Sequence, residues 1–150
     1  MTGAPPVQSL VVRRHLKAPR PRVFRAWTTP EQLQRWWWGG GMTVSEVEVD
    51  LRRGGQYKVG MRGSDGATLA IVGTFVDVEP ESRLVYTFAF EGEGFHNGQS
   101  LVTVEFLEEE GATEVVVTHE RLRSPEAVMH HGRGWSLCLD GLDALLLDLG

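Results

Sequence analysis

The sequence predicts an α+β fold in which a curved seven-stranded antiparallel sheet wraps around one long C-terminal helix. Two observations predict this fold. Residues 42–121 alternate between apolar and polar side chains with a period of two, which is typical of strands with one buried face. Residues 124–150 instead carry apolar side chains at steps of three and four, which is typical of one helix face. A helix so apolar on one side must be covered, and the predicted sheet is the partner that the chain offers.

The first predicted elements are a strand at residues 8–18 and two short helices at 22–28 and 31–38. Pro19 and Pro21 end the strand, because proline lacks the N–H that a strand interior needs. Apolar residues recur at helical spacing in both helical segments, and these are Val23, Phe24, Trp27, Leu33, Trp36 and Trp37. Three consecutive glycines, residues 39–41, then end the second helix.

Six further strands are predicted, at residues 42–51, 56–62, 67–78, 83–90, 100–107 and 113–121. Short turn signals separate them, such as Gly54-Gly55, Asp65-Gly66 and Glu110-Gly111. Connections this short join antiparallel neighbours, so the strands are expected to form a meander. Residues 91–99 are rich in glycine and are predicted to be a mobile loop.

The last helix has a clear predicted start. Ser124 is the expected N-cap, Pro125 the first helical residue, and Glu126 lies in the first turn, where the helix dipole favours a carboxylate. Gly132 and Gly134 interrupt the pattern and predict a kink or two helices in tandem. The buried face is predicted to consist of Trp135, Leu139, Leu142, Leu146 and Leu149.

Length and composition favour one domain over residues 1–150, with residues 1–8 as a loose tail that lacks the pattern of a secretory signal. The net charge of −5 argues against a nucleic-acid partner, and no apolar run is long enough for a membrane span. Cys138 is the single cysteine, so no disulfide within the chain and no cysteine-rich metal site are expected. These features favour the cytoplasm and predict no metal and no cofactor.

One helix cannot fill the concave face of such a sheet, so a cavity is predicted between sheet and C-terminal helix, with the short helices at its mouth. Trp38 is the tryptophan expected at the mouth, because three consecutive helical residues cannot all face one core. The predicted ligand-binding residues are Trp38, Tyr57, Met61, Phe75, Tyr86, Phe88, His119, Trp135 and Leu139. The alternative is that these side chains pack as core and bind nothing.

Several polar residues carry two interpretations each. Tyr57 and Tyr86 either orient a ligand through their hydroxyls or pack as core. His119 is either a buried histidine with a hydrogen-bond partner or a polar contact and general acid or base in the cavity. Arg121 either pairs with an acidic ligand group or is solvated. His130 and His131 are adjacent, so they point in different directions on a helix and predict no shared metal site.

Four motifs carry a resemblance to a known family. They are Ala18-Pro19-Arg20 with residues 23–28, Pro30 through Trp36-Trp37-Trp38-Gly39, Asp50-Leu51-Arg52-Arg53-Gly54-Gly55, and Gly134-Trp135 with Leu139-Asp140 and Leu142. On these the chain resembles the bacterial relatives of the heat-shock-protein-90 ATPase activator, in the activator of heat-shock-protein-90 ATPase homologue-like family. That family lies in the START-like (SRPBCC) superfamily of polyketide cyclases and birch-pollen-allergen folds. The resemblance implies a helix-grip fold, although Gly40 replaces the proline usual in the second motif.

The leading functional hypothesis is non-catalytic binding of a small hydrophobic or aromatic ligand in the cavity. The first alternative is a cyclase or aromatase-like enzyme that uses the same cavity, with His119 or a tyrosine moving protons. The second is a protein-interaction domain related to chaperone ATPase activators. A chaperone partner is not expected, since the resemblance covers only the C-terminal domain of the eukaryotic activator. A homodimer through a sheet edge or the tryptophans is left open.

Overall fold

The computed structural model describes residues 8–37, 43–91, 99–122 and 124–149. Trp38, residues 1–7 of the predicted tail and residues 92–98 of the predicted loop lie outside the described residues. The elements in chain order are β1 (Gln8–Leu16), α1 (Arg20–Thr28), α2 (Pro30–Trp36), β2 (Thr43–Val49), β3 (Gln56–Arg62), β4 (Thr68–Glu79), β5 (Arg83–Glu91), β6 (Ser100–Glu109), β7 (Ala112–Leu122) and α3 (Pro125–Leu149). The α+β fold with two short helices after the first strand and a long last helix is confirmed.

The seven strands form one sheet in the order β1-β7-β6-β5-β4-β3-β2, and every neighbouring pair is antiparallel. Strands β2 to β7 follow one another as the predicted meander, and β1 pairs with β7. The register places Tyr86 opposite Phe75 and Val117 opposite Val104, so apolar side chains face each other across strands. Because side chains alternate along a strand, one sheet face is apolar and covered by the helices.

The turn glycines lie where the backbone requires them. Gly54, Gly66 and Gly111 have φ values of 84°, 86° and 84°, in the left-handed region that glycine adopts without strain. Gly55 allows a close approach instead, because a Cβ there would lie 2.1 Å from the carbonyl oxygen of Asp50. The turn between β2 and β3 therefore depends on both glycines.

Helix α3 begins as predicted. The Ser124 hydroxyl oxygen accepts a hydrogen bond of 3.0 Å from the Ala127 N–H, which caps the first turn. The helix then runs without interruption through Gly132 and Gly134, so the prediction of two helices in tandem is wrong. Each helical glycine costs about 1 kcal/mol relative to alanine. The buried stripe that follows, from Trp135 onward, offsets that cost.

Helix α3 packs its apolar stripe against the sheet and the short helices. Trp135, Cys138, Leu139, Leu142, Leu145 and Leu146 are all buried there. Gly141 brings α3 close to α2, since a Cβ at Gly141 would lie 2.9 Å from the carbonyl oxygen of Trp36. Within the described ranges, no helix is both long and apolar enough to cross a membrane.

Candidate functional site

The end of α2 positions two adjacent tryptophans in different environments. The Trp36 indole N–H donates a 2.8 Å hydrogen bond to the Ala26 carbonyl oxygen. Trp37 follows the last helical residue and has extended backbone angles, while its backbone N–H still donates to the Leu33 carbonyl oxygen. Its side chain is only 6% exposed, so it turns into the protein beside the sheet.

Three aromatic rings on the concave sheet face lie opposite these tryptophans. The Tyr57 ring lies 5.2 Å from that of Tyr86 and 5.6 Å from that of Phe75, between ring centroids. The Tyr57 hydroxyl donates a 2.8 Å hydrogen bond to the Thr87 carbonyl oxygen. The Tyr57 side chain can extend to Thr87 only because residue 73 is glycine, since a Cβ at that position would lie 2.6 Å from the Tyr57 ring.

An internal pocket lies between these rings and the short helices. Its volume is about 20 Å³, which is the space that about one water molecule needs. It is lined by Trp27, Leu33, Trp37, Val49, Tyr57, Val59, Phe75, Leu84 and Tyr86. The prediction placed the cavity against the C-terminal helix, whereas this pocket lies beneath α1 and α2. The reason is that the α3 stripe and the tryptophans fill the space between α3 and the sheet.

A second void of about 10 Å³ lies against α3. It is lined by Trp37, Phe88, His131, Gly134, Trp135 and Cys138. Trp37 lines both spaces, so its side chain separates the internal pocket from the α3 void. The Trp37 and Trp135 rings meet edge to face at 5.6 Å. A movement of the Trp37 ring would therefore join the two spaces.

Two side chains that line the internal pocket bury polar atoms without partners. Among the described residues, neither the Trp37 Nε1–H nor the Tyr86 hydroxyl has a hydrogen-bond partner. Burial raises the pKa of Tyr86, and the Trp27 indole N–H, as a donor directed at the phenol oxygen, acts against this rise; the phenol O–H itself has no acceptor among the described residues. Burial also raises the pKa of Tyr57, with the nearby Tyr86 adding to the effect. Both phenols therefore stay protonated at neutral pH, and the Tyr86 O–H is available as a hydrogen-bond donor, whereas the Tyr57 O–H is already used.

His119 is held in a buried hydrogen-bonded chain beside the α3 void. Its Nδ1 accepts a 3.0 Å hydrogen bond from the Trp135 indole N–H, and its Nε2 lies 2.6 Å from the Ser100 hydroxyl oxygen. Because an indole N–H can only donate, Nδ1 carries no proton and the neutral ring is protonated at Nε2. Nε2–H then donates to Ser100, whose hydroxyl donates to the Phe88 carbonyl oxygen at 3.0 Å.

This arrangement does not suit acid-base catalysis by His119. Both ring nitrogens are used, and the Ser100 proton points to a carbonyl oxygen rather than to the histidine that would have to accept it. Burial lowers the pKa of His119 to about 3, with a further contribution from the nearby His131. Burial, together with His130, also lowers the pKa of His131 to about 4. Both rings are neutral near pH 7.

The structure brings the predicted ligand-binding residues into three groups. Tyr57, Phe75 and Tyr86 line the internal pocket, and Phe88 and Trp135 line the α3 void. Met61, His119 and Leu139 are buried in the core but line neither space. Arg121 is exposed and has a φ of 65°.

Sequence reasoning missed several residues of the internal pocket. Trp27, Leu33, Trp37, Val49, Val59 and Leu84 line the pocket but were not among the predicted ligand-binding residues. One signal for Trp37 was present, because a run of glycines begins two residues after it and marks a nearby helix end. A side chain at a helix end is free of the helical direction and can turn to either side.

The outer sheet face carries a wide open groove of about 860 Å³. Arg52 and Asp50 of the third motif lie there and pair at 2.9 Å. Lys58 pairs with Glu46 at 3.3 Å. Three acids (Glu48, Asp50 and Glu91) and two bases (Arg52 and Lys58) line the groove, and both bases are paired with acids, so the described lining of the groove offers no unpaired basic group to an anionic ligand. In the part of the chain that the structure describes, no cluster of His, Cys, Asp or Glu could hold a metal ion.

Comparisons with known proteins agree with this architecture. A family model described as Activator of Hsp90 ATPase homolog 1-like protein matches residues 17–147. An uncharacterized protein from Rhizobium leguminosarum is 31% identical, with a TM-score of 0.84, 95% of this chain and 96% of that chain being covered. A protein from Chromobacterium violaceum is 26% identical, with a TM-score of 0.83 and coverages of 91% and 95%. An AHSA1-like protein from Aeromonas hydrophila is 26% identical, with a TM-score of 0.77 and coverages of 95% and 94%. No match was found among curated proteins.

Proposed function

The chain belongs to the Activator of Hsp90 ATPase homolog 1-like family, and on that premise we propose that it binds a small hydrophobic or aromatic molecule without converting it. The ligand occupies the internal pocket beneath α1 and α2. The observation that carries this proposal is the pair of buried polar groups without partners, Trp37 Nε1–H and the Tyr86 hydroxyl, at one pocket. Roughly 90% or more of buried polar groups in proteins are hydrogen-bonded, so two exceptions at one pocket suggest a missing partner.

The pocket has room for a ligand only if its wall moves. Its volume of about 20 Å³ holds one water molecule, whereas an engineered apolar cavity that binds benzene measures roughly 150 Å³. Trp37 is the wall residue best suited to move, because its indole N–H has no hydrogen bond to hold it among the described residues. Its displacement would add the volume that the indole itself vacates, together with the α3 void of about 10 Å³.

The same geometry weighs against the cyclase-like alternative. That hypothesis needs His119 or a tyrosine to move protons. His119 is fixed as the Nε2–H tautomer, and burial raises the pKa of both tyrosines of the pocket. A proton-transfer group works best when its pKa lies near the working pH, and these groups lie far from it.

The interaction-domain alternative draws on a different surface. Met129, Leu137 and Leu147 on the outer side of α3 are 63%, 46% and 62% exposed. Exposed apolar side chains on a helix can dock a partner, and a chaperone or a second copy of the chain would be candidates. Substitution of all three by glutamine would abolish such docking and would leave the internal pocket intact.

Thermal melts against a panel of fatty acids, flavonoids and aromatic polyketides test the binding proposal, together with native mass spectrometry of the purified protein. A ligand at 100 times its dissociation constant adds roughly 2.7 kcal/mol to the free energy of unfolding. For a chain of this length, that raises the melting temperature by about 5–10 °C. No shift with any compound and no co-purifying mass would contradict the proposal.

A matched pair of β2 variants localises the binding. Val49 lines the internal pocket and Val47, two residues earlier on the same strand, does not. Val49→Met should fill the pocket and abolish the thermal shift, whereas Val47→Met should preserve it. Equal loss in both variants would place the ligand elsewhere.

A further inference from the structure

The internal pocket offers hydrogen-bond donors and lacks charge. Trp37 is 6% exposed and Tyr86 is 3% exposed, and the polar atom of each side chain has no partner among the described residues. An indole N–H can only donate, and a phenol that stays protonated can donate as well. Two other polar side chains line the pocket: Tyr57 already donates to the Thr87 carbonyl oxygen, and the Trp27 indole N–H is directed at the phenol oxygen of Tyr86. The pocket therefore has two unused donors.

The position of the Tyr86 hydroxyl places one donor on the helix side of the sheet. The groups that act on its ionisation are Trp27 of α1 and Cys138 of α3. Trp37 borders the same region, because it lines both the internal pocket and the α3 void. A ligand oxygen in this pocket would therefore lie among side chains that include both donors.

The lining also determines which acceptor is tolerated. None of the described residues that line the internal pocket is a lysine, an arginine or a histidine. A carboxylate buried there would have no countercharge, and burying an unpaired charge is far more costly than burying a neutral carbonyl group. A hydrocarbon would leave both donors without partners, which also carries a penalty.

We infer that the ligand is a neutral, flat carbonyl compound whose oxygen accepts hydrogen bonds from Tyr86 O–H and Trp37 Nε1–H. This inference rests on the proposed function and specifies the ligand class of the same pocket. The inference excludes fatty acids and aromatic carboxylates as ligands. It favours aromatic ketones, quinones and lactones. Trp37 contacts the ring system, and Tyr86 selects the carbonyl oxygen.

Three probes of matched size test the inference on the full chain: 2-acetylnaphthalene, 2-ethylnaphthalene and 2-naphthoate. The ketone is the more water-soluble of the neutral pair, so a pocket without donors would prefer the ethyl compound. We expect the ketone to bind about fivefold to tenfold more tightly than the ethyl compound, as one to two neutral hydrogen bonds provide. The naphthoate should bind at least about 100-fold more weakly than the ketone.

Two variants separate the donor from the rest of the pocket. Tyr86→Phe should reduce the preference for the ketone to about twofold to threefold, because the Trp37 Nε1–H remains as a donor, and should leave binding of 2-ethylnaphthalene in place. Tyr57→Phe is the matched control, because its hydroxyl already has a partner, and it should retain the preference. A carbonyl-labelled ketone gives a readout without any variant, since its ¹³C resonance should move downfield on binding relative to its position in hexane.

The outcomes distinguish the inference from the proposed function. Binding of both neutral probes without a preference for the ketone, or with no effect of Tyr86→Phe, would overturn the inference and keep the proposed function. Tightest binding of the naphthoate would also overturn the inference. Failure of all three probes and of the wider panel would overturn both.

Discussion

The indole N–H of Trp135 on α3 donates a 3.0 Å hydrogen bond to Nδ1 of His119 on β7. This contact joins the long helix to the sheet and determines the tautomer of the histidine. The His119 Nε2–H then donates a hydrogen bond to the Ser100 hydroxyl oxygen, and the Ser100 hydroxyl donates to the Phe88 carbonyl oxygen. A Ser–His pair of this kind resembles a nucleophile and base in composition only, because the protons point the wrong way for that chemistry.

The first prediction concerns this tautomer. The ¹⁵N spectrum of the protein at pH 7 should show His119 with an unprotonated Nδ1 and a protonated Nε2. Trp135→Phe should lower the free energy of unfolding by about 1–3 kcal/mol, because Nδ1 becomes a buried acceptor without a partner. Urea denaturation measures the change. An Nδ1-protonated His119 in the native protein would contradict the assignment.

The second prediction concerns stability in acid. A histidine in the unfolded chain binds a proton near pH 6.5, whereas burial holds the folded His119 neutral down to a pKa of about 3. Between these values the unfolded state binds more protons, so the free energy of unfolding decreases as the pH falls. The contribution of His119 amounts to a loss of roughly 3 kcal/mol between pH 7 and pH 4.

The variant His119→Gln isolates that contribution. Glutamine keeps a hydrogen-bond donor and an acceptor but does not titrate, so its curve of stability against pH should be flatter than that of the wild type. Carboxylates titrate in both proteins and cancel in the comparison. Denaturant melts at pH 7, 6, 5 and 4 provide the measurement, and parallel curves would show that the folded His119 takes up protons as readily as the unfolded one.

The third prediction compares two buried phenols in the ligand-free protein. Tyr86→Phe removes a hydroxyl that has no partner among the described residues and should stabilise the fold by about 1 kcal/mol. Tyr57→Phe removes a hydroxyl bonded at 2.8 Å to the Thr87 carbonyl oxygen and should destabilise it by about 1 kcal/mol. Thermal and urea unfolding test the opposite signs. Destabilisation by both changes would mean that the Tyr86 hydroxyl has a partner in the folded protein, such as the Trp27 indole N–H or a bound water.

The sequence was sufficient for the fold because the relevant signals are local. Period-two alternation sets the faces of β6 and β7, and left-handed glycines such as Gly66 and Gly111 occur where hairpin turns were expected. The same local reasoning placed Ser124 as the cap of α3. Signals of this kind depend only on neighbours along the chain.

The site could not be predicted to the same extent, because it depends on contacts between distant residues. Ser100, His119 and Trp135 lie on three different elements, and no spacing rule brings their side chains together. The pocket volume depends on how completely Trp37 and its neighbours fill the space under the sheet. The alternative of two helices in tandem at Gly132 and Gly134 was wrong for a related reason, since burial of the stripe on the sheet outweighs local propensity.

The last prediction uses two glycines of α3 that differ only in what surrounds them. A Cβ at Gly132 would lie 3.9 Å from the Leu10 side chain, which is ordinary contact. Gly132→Ala should therefore raise the free energy of unfolding by about 0.5–1 kcal/mol, the gain in helix propensity. A Cβ at Gly141 would lie 2.9 Å from the Trp36 carbonyl oxygen, a backbone atom that cannot move aside alone.

Gly141→Ala should accordingly force α2 and α3 apart and cost about 1–3 kcal/mol, as overpacking of a core does. Because Trp37 follows Trp36 directly and lines the internal pocket, this variant should also change ligand affinity, whereas Gly132→Ala should not. Urea denaturation and binding of 2-acetylnaphthalene measure the two effects. Stabilisation by both alanines would contradict this prediction. It would show that α2 can shift away from α3 without loss of stability, so that the close contact at Gly141 does not fix the position of the pocket wall.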